Sequence, residues 1–584
     1  MRKRFFDRHR QSEASGKRPP RGLLLTRREL LTGAAAIAAT AAFPRSLFAS
    51  DPVPASFLVS GGSWEGLVGV QGGIPNRTTQ SGATIAPYTG SAATINNAIA
   101  NCPSDQYVQL GAGTFNLSSS IDIGKSGVTL RGAVDSNGRP ATTLNFTGGS
   151  VRLIGFEATG WDIANTGQFT TANVTGGVAR GSTTVSLGST PSGLQVGQFM
   201  LLSAPASSTV TGGGWSLFFG SRPFTQIVRV TAISGNNVSF SPAINADYLS
   251  GSVQAHWRGL SDSVKRSGIE NLSLTRNGGG GHYVGFYGAD ECWAKNIKTY
   301  GVPASTYHFY TYCAYRCEIR HCDVAHMSDL TNSTYCVTPV HSSQLLIEDN
   351  WFHDCPNVMP MFGLNGSAFA YNYIRDLPYS PSDWLSQIVF FHGSHNHYNL
   401  FEGNWCPASY NDTGAGSRNN LWFRNRMRGY DENGPKASNT EAMSLCQNHT
   451  NLCLAGNVVG ESGYHTVLLA TFSGSGDNFP SNAIYNINTA DNFQAFGNYN
   501  TVNGAVATSE ALPSGGALVT SYLHSSKPAW FGNLPWPPIT PSNFTQSNTP
   551  DNLPAGYRAI HGTDPAPATT TTAPMAPTNL RIIG

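Results

Sequence analysis

Charge is scarce in this 584-residue chain: Asp, Glu, Lys and Arg together make up 12 %, roughly half the usual share of a soluble protein. That scarcity excludes coiled coils and long solvent-facing helices, whose outer faces need charge. Long apolar runs are missing as well. The Ala-rich stretch Leu30 to Ala42 falls short of the roughly 20 residues that cross a bilayer, and no other stretch reads as a membrane span. A basic surplus is also absent from most of the chain. Residues 1–49 hold eleven Lys/Arg against three Asp/Glu, and the remainder carries 25 basic and 31 acidic groups, which leaves nothing for a nucleic-acid partner. With 64 Gly and 34 Pro beside 40 % apolar and 11 % aromatic residues, the composition is neither collagen-like nor disordered. Asn, Ser, Thr and Gly dominate what is left, which fits an all-β body. The length is several times that of a common single domain, and a repeat architecture can use it as one continuous structure.

The basic N-terminus ends in Thr26-Arg27-Arg28-Glu29-Leu30-Leu31 ahead of the apolar run. Paired arginines in that position resemble a twin-arginine export signal. The resemblance implies residues 1–49 as signal peptide, cleavage after Ala49, and a periplasmic or secreted protein.

Residues 91–101 (SAATINNAIAN) place Ala93, Ile95, Ala98 and Ile99 near one helical face, with Ser91 as N-cap and Pro103 closing the helix. Short β-type runs follow at 107–110, 113–117, 121–123, 128–132 and 143–146, separated by turn residues. The middle of the chain repeats itself. IENLSL, WAKNIK, IRHCDV, IEDNWF, AYNYI, FEGNW, FRNRM and LAGNVV are variants of one strand-plus-turn unit. They align Leu272, Ile297, Cys322, Asn350, Asn372, Asn404, Asn425 and Asn457 in one column, at steps of 25, 25, 28, 22, 32, 21 and 32. A variable step around a constant unit predicts coils of a parallel β-helix, with loops of any length leaving the cross-section intact. Stacked coils lie about 4.8 Å apart, so the Asn column predicts a ladder of side-chain amides.

The opening GGIPNR (72–77), the short helix followed by VQLGAGTFNL (108–117) and GVTLRG (127–132), and the later coils resemble the right-handed parallel β-helix proteins of the pectate lyase-like superfamily over roughly residues 70 to 530. The expected organisation is an N-terminal cap with first coils (50–149), a β-rich antiparallel insertion (150–262), main coils (263–505), a C-terminal cap over the last coil (506–563), and a Pro/Thr-rich linker and tail (564–584). The superfamily's polygalacturonase signatures Gly-His-Gly and Arg-Ile-Lys and its pectate lyase Arg-x-Pro-x-x-Arg signature do not occur, so the resemblance assigns no residue roles.

Ten cysteines are present. Cys292 and Cys317 share a column on adjacent coils, as stacked thiols or as a disulfide. His308, Cys313, Cys317, His321, Cys322 and His326 contain no CxxC pair and alternate in direction along strands, so these six cannot all converge on zinc.

Four residues beyond the Asn column stand His326, Asp354 and Asp376, and three beyond it His353, Arg375 and Arg428. Stacked carboxylates need a cation, a shared proton or an arginine beside them. The stack therefore predicts either a site, with Asp354 and Asp376 holding Ca²⁺, or Asp residues that cap turns through their own backbone. A second cluster, FFHGSHNHYNLFEGNW (390–405), carries His392, His395, His397 and Glu402, followed by Asp412 and Arg418. Loops 377–387 and 429–441 would wall a groove, with Tyr379, Trp384 and Tyr430 as sugar-stacking platforms and Arg428 beside them. Together these predict an exported protein acting on a polysaccharide. A lyase reaction on an acidic chain would use Asp354, Asp376, Arg375, His326, His392 and His395 to neutralise the uronate and move protons. The alternatives are a glycoside hydrolase of the same fold, using the Asp pair, and a non-catalytic glycan-binding or surface protein.

Overall fold

The computed structural model describes residues 53–148, 152–158, 161, 166–205, 222–246, 252–277, 281–301, 306–325, 334–380, 382–386, 388–411, 416–431, 436–445, 449–473, 482–489, 493–507, 518–541 and 549–568. Residues 1–49, read above as an export signal, and His326 and Asp412 lie outside these residues. The repeat units pair as the column alignment requires. Leu272 lies opposite Ile297, Lys298 opposite Asp323, Asp323 opposite Trp351 and Trp351 opposite Tyr373, all in parallel. The fold is an all-β parallel β-helix whose lumen is filled by one continuous apolar cluster running from Ala92 to Ile487.

Helix α1 (Ala93–Asn101) turns Ile95 and Ile99 into that core. Its N-cap is Ala92 rather than Ser91, and the Ala92 N–H donates to Ser119 Oγ at 2.9 Å. A side chain from the next coil therefore does the capping.

The predicted asparagine ladder is present and one rung longer. Asn350, Asn372, Asn404, Asn425 and Asn457 each donate Nδ2–H to Oδ1 of the next asparagine at 2.9–3.0 Å, ending on Asn498. Each Oδ1 from Asn372 onward also accepts the backbone N–H of the preceding rung. The residue before each rung is left-handed, as at Asp349 (φ 57°), Tyr371 (φ 54°) and Arg424 (φ 53°). At Gly403 (φ 67°) a Cβ would also meet the Tyr371 ring at 2.4 Å. This bend divides the strand of each ladder coil in two and aims the second half at a new face.

The insertion forms a closed antiparallel barrel of six strands, Thr170–Gly176, Thr184–Leu187, Phe199–Ala204, Phe224–Ser234, Asn237–Ser241 and Gln254–Trp257. A two-residue Gly235-Asn236 turn joins the fourth and fifth. Polar contacts fix the barrel to the coils: Arg229 Nη1 reaches Asp290 Oδ2 at 2.8 Å and Nη2 reaches Glu291 Oε1 at 2.9 Å, and Asn245 Nδ2–H donates to Asn365 Oδ1 at 3.0 Å.

The C-terminal segment departs from expectation. Instead of covering the last coil, residues 518–541 and 549–568 run along the flank of the main sheet. There the coils present Leu346, Ala368, Tyr371, Leu400 and Phe423 outward, and the segment buries them with Tyr522, Leu523, Phe531 and Leu553. Buried carboxylates anchor the strap. Glu402 accepts the Tyr522 N–H at 2.9 Å and Glu348 pairs with His524 Nε2. Arg558 of helix α2 (Pro554–His561) holds both Asp349 oxygens at 3.0 Å. Residues 564–568, read as the start of a linker, belong to this strap, with the Asn533 N–H donating to Ala566 O at 2.9 Å. At the last coil the chain closes its own edge by folding Ala505–Ala507 back antiparallel on Asn498–Asn500.

Candidate functional site

Beyond the asparagine bend the half-strands Asp323–Ala325, Trp351–His353, Tyr373–Arg375, Trp405–Cys406 and Arg426–Met427 stack in register. Side chains alternate across a strand. Val324, Phe352, Ile374, Cys406 and Met427 enter the lumen, which leaves Asp323, Trp351, Tyr373, Trp405 and Arg426 in one outward column and His353, Arg375 and Arg428 in the next.

A cavity of about 220 Å³ opens at the start of this row. Lys298, His321, Asp323 and Trp351 form its floor, the 135–140 hairpin one wall, and Arg558 and Asp564 of the strap the other. Asp323 Oδ1 lies 2.9 Å from His353 Nε2 and Oδ2 lies 3.2 Å from Lys298 Nζ. Burial pushes the Asp323 carboxyl up, but the His353 hydrogen bond and the Lys298 charge outweigh it and hold the group below the ordinary carboxylate range. The His353 ring stacks on Trp351 with centroids 3.8 Å apart and planes at 18°. Across the cavity His321 is held between Asp349, 2.9 Å from Nδ1, and Asp564, 3.4 Å from Nε2. Asp135 is spent on its own turn, accepting the N–H of Asn137 and Arg139 at 2.9 Å. The arrangement is an oriented imidazole, His353, bonded to an ionised carboxylate and stacked on an aromatic platform, Asp323 and Trp351, which both line the cavity.

The residues singled out in the sequence divide between several places. Asp354 and Asp376 follow the paired His353 and Arg375 on adjacent coils, so they stack as the column requires. Both are left-handed, at φ 52°, and Arg375 Nε lies 2.5 Å from Asp376 Oδ2. The arginine thus neutralises Asp376. Among the described residues no third His, Cys, Asp or Glu converges on this pair.

The histidine segment goes elsewhere. His395 is fully buried under the barrel with its ring 3.8 Å from that of Phe224, and burial drives its pKa down to about 3. His397 and Arg418 share that interface. His392 packs at the edge of an aromatic cluster on another sheet, 5.5 Å from Phe362 and 6.4 Å from Tyr335. Glu402 lies under the strap, bonded to Tyr371 and Ser521. The barrel, inserted far upstream in sequence, covers His395 and His397.

The two long loops do lie side by side: Trp384 bridges Ser438, the Leu385 N–H donates to Ser438 O at 2.9 Å, and Lys436 Nζ donates to Ser382 O at 2.9 Å. Tyr379, Trp384 and Tyr430 are all half-buried. Arg428 stands over the Tyr430 ring at 5.3 Å and pairs with Glu461 at 2.9 Å. The 429–441 loop ends on Glu441, a buried carboxyl whose oxygens have no hydrogen-bond partner on another described residue. Burial raises its pKa to about 8.

Reading the sequence four residues beyond the column missed Asp323 and Trp351, which stand one beyond it. The signal was available, since that position is aromatic on three successive coils, Trp351, Tyr373 and Trp405.

No family model matches the chain, and no curated protein matches it in sequence. Among solved structures it is similar to the tailspike protein gp49 of Pseudomonas phage LKA1, at 11 % identity and a TM-score of 0.44 over 74 % of this chain and 79 % of that one. The tailspike gp61 of Pseudomonas phage phi297 follows at 10 % and 0.42, over 70 % and 71 %. A polygalacturonase from Erwinia carotovora ssp. carotovora shows 11 % and 0.26, over 72 % and 97 %. Likeness of this degree concerns the coil architecture alone.

Proposed function

We propose that the chain is an exported, polysaccharide-active β-helix enzyme of the lyase type, acting on an acidic polysaccharide laid along the Trp351 row. The observation that carries this reading is the Asp323–His353 pair beside Trp351: Asp323 and Trp351 line the 220 Å³ cavity, and His353 is bonded to the one and stacked on the other. β-Elimination needs the uronate carboxylate neutralised, a base for the C5 proton and an acid for the leaving oxygen. With Nε2–H given to Asp323, the His353 lone pair lies at Nδ1, the position of a base. Lys298 lies beside the pair to meet the uronate, and His321 lines the cavity to return a proton. No step is routed through Asp354, Asp376 or a cation. The twin-arginine reading of Arg27-Arg28 supports action outside the cytoplasm.

Hydrolysis is the second reading, because Asp323 and Asp564 line the cavity from its floor and wall. Incubation with a panel of neutral and acidic polysaccharides separates the two. A lyase produces the ultraviolet absorbance of unsaturated uronates, a hydrolase releases reducing ends without it, and a binding protein retains the glycan unchanged. His353→Gln should lower turnover by roughly 10²–10⁴-fold, while Asp354→Asn and Asp376→Asn leave it near wild type. Full turnover in His353→Gln would overturn the assignment.

A further inference from the structure

The inference concerns the lumen and stands apart from the groove chemistry. His308 lies in the strand Thr306–Tyr312 and Cys336 in Tyr335–Val340. The register that pairs Tyr307 with Tyr335 and Phe309 with Val337 sets His308 and Cys336 side by side on adjacent coils. Cys355 approaches from the turn after Trp351–His353, on the facing wall. All three side chains are fully buried. One nitrogen and two sulfurs from them lie within 4.8 Å of one another, the sole such group of three among the described residues.

From this convergence we infer that the lumen holds a buried Cys₂His site for a thiophilic d¹⁰ cation, with Zn²⁺ as its first occupant.

Three features of the surroundings support it. Tetrahedral zinc places sulfurs about 2.3 Å and nitrogen about 2.0 Å from the ion, hence donors about 3.8 Å apart, so these donors need to close by only about 1 Å. The His308 ring is already oriented, with Nδ1 2.7 Å from Thr299 Oγ1 and its face on Tyr283. A hydrogen bond on one imidazole nitrogen is the usual means of aiming the other at a metal. Charge balance decides the kind of ion. A divalent cation with two thiolates and a neutral imidazole is neutral overall, which an apolar core tolerates, whereas one unpaired charge there is costly. Binding releases the two thiol protons. The Cys292–Cys317 column is a built-in control, because it stacks two buried thiols with no histidine among their partners. Cys355 also follows Asp354 and His353 directly in the chain, so an ion here would tie the turn beneath the groove to the opposite wall.

The test uses the full mature chain, expressed in zinc-supplemented medium and purified without chelator. Elemental analysis should find near-stoichiometric zinc. Cys336→Ser and Cys355→Ser should lose it, and Cys317→Ser should keep it. Since core variants can misfold, the wild-type protein supplies a second measurement: Co²⁺ exchanged into the site should give thiolate-to-cobalt absorption in the near ultraviolet. A parallel arm titrates the metal-free chain with Cu⁺ under argon against a chromophoric competitor. Stoichiometric copper with little zinc would keep the site and change its occupant. Metal-free wild-type protein that takes up neither ion, or a mass deficit locating a Cys336–Cys355 disulfide, would overturn the inference.

Discussion

Each rung of the asparagine ladder satisfies several backbone groups that no apolar residue of its size could reach. Asn372 Nδ2 donates to Ile347 O and to Asn404 Oδ1, while its own Oδ1 accepts from Asn350 twice. Replacing it with Leu strands buried donors and acceptors on two coils, at about 1–3 kcal/mol. Asn372→Leu should therefore lower the free energy of unfolding by that much, read as a lower denaturation midpoint with an unchanged slope, and wild-type unfolding would refute the ladder's contribution. The ladder was legible in the sequence because one residue type recurs at one offset and has a single physical use there. Asp354 and Asp376 were ambiguous for the opposite reason. Left-handed turns and proton-transfer sites both favour Asp, and only the φ of 52° and the Arg375 contact separate the two uses. His395 was unreadable from sequence, since nothing near it announces that Phe224, some 170 positions upstream, will cover it.

Among the elements, the strands and the barrel were legible through alternation and turn residues, whereas the course of the strap was not. Its Pro- and Trp-rich composition announces a cover without saying which surface is covered. The answer lies in outward apolar positions of the coils, such as Leu346, Leu400 and Phe423, which a solvated face would not carry. Helix α2 is then fixed by charge. Burial raises the Asp349 carboxyl, and Arg558 with His321 outweighs that and keeps it ionised below its usual range. Removing one partner of such a pair costs more than the pair itself contributes, because the remaining charge stays buried. Arg558→Ala should cost about 3–5 kcal/mol and raise amide exchange across residues 554–561, with Arg558→Lys recovering part of the loss. Unchanged protection in the alanine variant would show that apolar contacts alone hold the strap.

For the molecule as a whole, buried titratable groups pull stability in opposite directions with pH, and their balance can be predicted. Burial drives His256, His282, His341 and His395 down to about 3 and lowers His397 and His465 as well. The unfolded chain protonates these groups near 6.5 and the folded chain does not, so stability falls as pH drops below about 6.5, by about 1.4 kcal/mol per unit for each group. The depressed carboxyls Asp323, Glu348 and Asp349 add to the loss at lower pH. Glu318, Glu402 and Glu441 act in the opposite sense, because burial raises all three. Their contribution is complete below the unfolded value and is lost as pH rises, in Glu441 up to about 8. His524 adds to that limb, its pKa lowered by burial but raised further by Glu348. Six histidines outweigh three carboxyls in the acid window, and above it the Glu441 loss continues unopposed. The melting temperature should therefore peak near pH 6.5, falling steeply on the acid side and gently on the alkaline side. Glu441→Gln, which keeps the shape and cannot ionise, should flatten the alkaline limb and leave the acid limb in place. A melting temperature that does not change from mildly acidic to mildly alkaline buffer, or an alkaline limb identical in Glu441→Gln, would mean that these side chains are more solvated than their burial implies.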